Sequence, residues 1–123
     1  MSEEITDRII TICGSVRFKA EWEKANYELS KRGWIVLTVS NFDHVFFHSE
    51  NDEGDYLKRK FDALHKRRIN LSQAILVLDL GGYVGKSTRG EIEFAQENNK
   101  QIYYITDLLR QNAENPYGVF GEV

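Results

Sequence analysis

A chain of 123 residues with 41% hydrophobic content has enough apolar material for one domain with a packed core. Its one cysteine, Cys13, excludes an intramolecular disulfide framework, and its net charge of −3 disfavours a nucleic-acid polymer as partner. No apolar run approaches the roughly 20 residues needed to cross a bilayer, and the acidic opening Met1-Ser2-Glu3-Glu4 has no signal-peptide core, so a cytoplasmic protein away from the membrane is expected.

Residues 8–13 are short, β-branched and closed by Gly14, which is the pattern of a buried strand. Residues 19–31 predict a helix, with Trp22, Ala25 and Leu29 on one face and Gly33 ending it. A second apolar strand covers 34–39. Residues 40–55 read as an irregular polar loop that embeds His44, Phe46, Phe47 and His48, long enough to serve as a lid or binding loop. A helix over 56–72 carries Leu57, Phe61, Leu64 and Arg68 down one side. A third strand over 74–80, a helix over 88–98, a fourth strand over 101–105 and a helix over 107–113 complete the series, followed by a tail with the only proline, Pro116. Continuous apolar strands alternating with helices predict a parallel sheet covered on both faces. The expectation is a single domain over 1–123: a three-layer, flavodoxin- or Rossmann-like α/β fold with about four strands in the order 2-1-3-4. Its ligand site would lie at the carboxyl ends of the first and third strands.

That placement brings Gly14, Ser15 and Arg17 beside the segment DLGGYVGKSTRGEIEFA, which begins at Asp79. Glycine admits a close backbone approach, and Ser15 with the following amides can hold an anion, to which Arg17 adds a charge-assisted contact. An ordinary serine-capped turn has the same spacing. Gly82, Gly85, Ser87 and Thr88 belong to the second loop, and Tyr83 can stack on a planar ligand or cover the core. Gly85-Lys86-Ser87 matches the end of a P-loop, but the first glycine of that motif would fall on Leu80, which excludes it.

Glu91 has two readings. Thr88-Arg89-Gly90-Glu91 has the spacing of a capping box, in which the glutamate reaches back to the cap amide. Glu91 also lies nearer the inward face set by Ile92 and Ala95 than Glu93 or Glu97 does, so it can be a buried nucleophile or base; the two roles can coexist. Asp79 is either a helix-capping acid or a ligand contact. The basic run from Lys58 to Arg68 reads as a solvated face, within which His65 and Arg68 are one turn apart on the side that can meet the cleft. His44 and His48 lack a third ligand, so no metal is expected, and no cofactor either. Cys13 reads as a small buried apolar residue.

The segment Ile12-Cys13-Gly14-Ser15-Val16-Arg17, together with Gly82-Tyr83 and Glu91-Ile92-Glu93-Phe94-Ala95, resembles the nucleoside 2-deoxyribosyltransferase superfamily, in particular its small phage-associated branch. The first segment is also similar to the 2′-deoxynucleoside 5′-monophosphate N-hydrolases. The resemblance implies cleavage of the N-glycosidic bond of a nucleoside or its monophosphate by a double displacement, with Glu91 as the nucleophile and the Gly14–Arg17 loop at the 5′-phosphate. Asp79 and Tyr83 would then orient the sugar or base. It further implies a homo-oligomer in which a neighbouring subunit completes the pocket. One departure stands out: the family's aspartate before the third strand is replaced here by Gln73-Ala74, which puts the protonation of the base in question. A non-catalytic nucleotide-binding module, a sensor or scavenger, is the alternative expectation.

Overall fold

In the computed structural model, residues 8–39 and 52–123 are described, with only the backbone of 52–55. Four strands, β1 (Ile9–Gly14), β2 (Ile35–Leu37), β3 (Ala74–Leu78) and β4 (Gln101–Tyr104), form one parallel sheet in the order β2-β1-β3-β4. Ile10 pairs with Val36 on one side and Ala74 on the other, and Ile75 pairs with Ile102. The expected 2-1-3-4 α/β fold is the one found. Its helices are α1 (Lys19–Lys31), α2 (Asp52–Leu71), α3 (Lys86–Glu97) and α4 (Ile105–Gln111).

Strand alternation assigns the two faces. Ile10, Ile12, Leu76 and Leu78 point to one side, where Trp22, Ala25 and Leu29 of α1, Ile105 and Leu108 of α4, and Tyr117 and Phe120 of the C-terminal turn cover them. Cys13, Ile75 and Val77 point to the other, against Ile69 of α2 and Ala95 of α3. All five β3 residues are buried, as a central parallel strand requires.

Several boundaries differ from the sequence reading. Trp34 is not in β2: its amide donates to the Leu29 carbonyl across Gly33, whose φ is +86°, in a Schellman-type helix end. Its indole then donates to the Phe120 carbonyl. Helix α2 starts at Asp52, inside the stretch read as loop, while His44, Phe46, Phe47 and His48 lie outside the described residues. β3 stops at Leu78, where the chain turns through Leu80–Gly82 with Gly81 and Gly82 at φ +64° and +79°. Helix α3 starts two residues early, at Lys86. No described helix is long and apolar enough to cross a membrane.

Candidate functional site

The carboxyl ends of β1 and β3 open onto a cavity of about 420 Å³, within the size range of small-molecule sites. It sits at the point where the chain leaves β1 in one direction and β3 in the other, the location favoured for ligands in open parallel sheets. Gly14 and Ser15 form one wall, and Tyr83, Gly85, Ser87, Thr88 and Glu91 form the facing wall. The floor comes from α2, whose Lys58, Phe61, Asp62, His65 and Arg68 share one helical face. Gly14 allows the narrow approach of the two loops: its φ is +156°, and a Cβ there would lie 3.0 Å from the Leu78 Cβ.

Glu91 is not a capping glutamate. The first bond of α3 runs from the Arg89 amide to the Gly85 carbonyl, so extended Gly85 is the N-cap and contributes no side-chain bond. Thr88 is therefore inside the first turn, buried, and Glu91 falls in the second turn with only 9% of its surface exposed. Helical rotation from that start turns Glu91 toward β1 and α2. Burial raises its carboxyl from 4.5 to about 7; the neighbouring Cys13 thiol works against this shift, Asp62 adds to it, and Lys66 and Lys58 oppose it.

Beneath Glu91 lies a buried trio. Cys13, His65 and Glu91 have polar atoms all within 4.8 Å of one another. The His65 Nε2–H donates to the Ile12 carbonyl at 3.0 Å, and its Nδ1 accepts from the Arg68 guanidinium at 3.2 Å. Burial first, and the Arg68 charge second, lower the ring to about 4, so it is neutral near pH 7 with its tautomer set by these two partners. The Cys13 thiol is pushed well above 9.0 by burial and then by Glu91. The trio has metal-ligand residue types, yet both ring nitrogens are committed and the thiol keeps its proton. It is arranged to hold protons.

The cavity mouth is bridged by Lys58, which donates to Asp62 of its own helix at 3.1 Å and to the Ser87 hydroxyl of α3 at 3.4 Å. Lys58, Arg68 and Lys86 put three cations among the described lining residues, against Asp62 and Glu91, and Val16, Val39 and Phe61 supply apolar wall. This combination suits a ligand with an anionic group and a flat apolar part.

Arg17 and Gly82 are not among the lining residues. The Arg17 guanidinium stacks 4.1 Å from the Tyr83 ring centre, and Phe18 meets the same ring edge-on, so the two loops are latched together at the rim. Asp79 is also outside the lining. Its two carboxylate oxygens accept from the Thr106 amide at 3.1 Å and the Thr106 hydroxyl at 2.7 Å, which ties the end of β3 to the start of α4. Asp79→Ala is expected to lower stability by about 1–3 kcal/mol in urea unfolding, through loss of bonds to a charged group, and to leave ligand affinity unchanged. The spacing of residues 58, 62, 65 and 68 is the signal for Asp62 and Lys58; the sequence reading extends it only to His65 and Arg68 and leaves Lys58 on the solvated basic face.

Gln73 lies at the opposite end of the sheet. Its amide donates to the Ile9 carbonyl and its side chain accepts from the Ile9 amide. The five residues of β3 separate it from the cavity by about 16 Å at about 3.3 Å per residue. An acid at this position would not reach a ligand in the cavity.

No family model matches the chain, and no curated protein matches it.

Proposed function

We propose that the protein cleaves or transfers at the N-glycosidic bond of a nucleoside or nucleoside 5′-monophosphate, with Glu91 as the nucleophile. The observation that carries this reading is a single one: a buried, ionisable carboxylate in the second turn of α3, on the cavity wall facing the Gly14-Ser15 loop. Ionised Glu91 attacks the anomeric carbon as the bond to the base nitrogen breaks, and the carboxylate stabilises the cationic character that develops on the sugar. Water or a second base then releases the glycosyl group from Glu91. The role that Asp79 held in the sequence reading passes to Asp62, the other carboxylate among the described lining residues. Ser15, Ser87 and the α3 N-terminal amides provide for a phosphate, and Arg68 and Lys86 add positive charge. The resemblance adds a homo-oligomer in which a second copy completes the site. A reducing cytoplasm is the setting in which Cys13, free and buried, stays a thiol.

The test is incubation with a panel of nucleosides and 5′-monophosphates and chromatography for free base. Base release by the wild type that disappears in Glu91→Gln supports the reading. Absence of release from every member of the panel overturns it, and calorimetric binding of an intact nucleotide would then assign a binding module instead.

A further inference from the structure

Cys13 has no part in the chemistry above, yet it is fully buried directly behind Glu91. Strand β1 delivers it: the alternation that sends Ile12 to the α1 side turns Cys13 toward α2 and α3. Its sulfur lies 3.8 Å from the His65 Nε2, and a Glu91 carboxylate oxygen lies within 4.8 Å of both. That nitrogen carries the ring proton and gives it to the Ile12 carbonyl, while Nδ1 is engaged by Arg68. His65 therefore offers the thiol no lone pair. Within the trio, the acceptor left for the S–H is the Glu91 carboxylate.

We propose that Cys13 is a positioning residue for Glu91: its S–H donates to one carboxylate oxygen and leaves the other oxygen directed into the cavity. The inference rests on the reading of Glu91 as the nucleophile. His65, fixed by its two partners, acts as a backstop that confines the thiol to this orientation. The arrangement explains why a weak donor stands where an apolar residue would pack equally well. A carboxylate in an apolar wall would remain protonated, whereas one hydrogen-bond donor favours its charged form. Cys13 from β1 and His65 from α2 lie beside Glu91, and the charges of Lys58, Asp62 and Lys66 of α2 act on it. Among them the thiol is the neutral donor that bonds to the carboxylate, so its removal leaves the surrounding charges as they are.

Because the chain has a single cysteine, its S–H stretch is one isolated infrared band. In the wild type that band is expected below its position in the urea-unfolded chain, and it should move as the pH passes through about 7, following Glu91. In Glu91→Gln the pH-dependent movement disappears. For catalysis, Cys13→Ala should shift the acid limb of the pH–rate profile upward by about one pH unit, and Cys13→Ser, which keeps a donor, should restore it. A band at the unfolded-chain position with no response to pH overturns the proposal. So does an unshifted acid limb in Cys13→Ala accompanied only by a lower melting temperature, the signature of a space-filling residue. The infrared arm needs no substrate: a wild type that releases no base removes the proposed function but still leaves the band to decide the Cys13–Glu91 bond.

Discussion

Glu91→Gln is expected to lower base release about ten-thousand-fold, a loss typical of removing a covalent nucleophile, while the folded protein becomes more stable above pH 7. Both effects come from the same burial. The wall that surrounds Glu91 raises its carboxyl to about 7, so the wild-type rate should climb with pH until Glu91 is ionised. The charged form is costly to keep in that wall, and glutamine, of nearly the same shape, avoids the cost. A stabilised but inactive variant is the expected signature of a functional carboxylate held in a site unfavourable to its charge. A structural glutamate, by contrast, would show loss of stability on substitution.

The second large effect is a pair of opposed pH dependences. Glu91 in the folded chain binds its proton up to about 7, against 4.5 ordinarily. Its contribution to stability is therefore fully present below pH 4.5 and is lost as the pH rises through about 7. His65 is shifted from 6.5 down to about 4, so its unfolded form takes up a proton first. Its contribution is present above pH 6.5 and is lost as the pH falls toward 4. At 1.36 kcal/mol per pH unit each displacement is worth roughly 3 kcal/mol, and across the shared window the two largely cancel. The single variants separate them. Relative to wild type, Glu91→Gln should gain roughly 3 kcal/mol between pH 4.5 and 7.5, and His65→Gln should gain a similar amount as the pH falls from 6.5 to 4. Urea unfolding across pH reads both differences. Parallel curves for all three proteins would mean that neither group is titrating from inside the cavity.

The sheet was legible because its evidence is local and repeated. The apolar runs at Ile9–Gly14 and Ala74–Leu78 are short and bounded by glycine or an acid, and only a central parallel strand is buried on both faces. The position of Glu91 in its helix was not legible. Thr88 and Glu91 have the spacing of a capping box, but Gly85 takes the cap with its backbone alone, and Thr88 is drawn into the cavity wall. The function of Asp79 depended on Thr106, which lies 27 residues away and has no local signal. Asp62 was obscured by the basic residues around it, although its spacing to Lys58 and His65 places all three on one face. The Cys13–His65–Glu91 trio unites a strand and two helices from distant parts of the chain, a convergence that exists only after β1 and β3 have paired.

The central claim concerns a bond between a sugar and Glu91, and intact-mass spectrometry reads it directly. The protein is mixed with a 2′-fluoro-2′-deoxy nucleoside 5′-monophosphate, whose fluorine slows the hydrolysis of a glycosyl ester, and is quenched in acid. The expected result is one added glycosyl phosphate per chain, mapped by peptide sequencing to Glu91 and missing from Glu91→Gln. Release of base with no adduct in the quenched protein, or an adduct mapped to another residue, would contradict the assignment of Glu91 as the nucleophile.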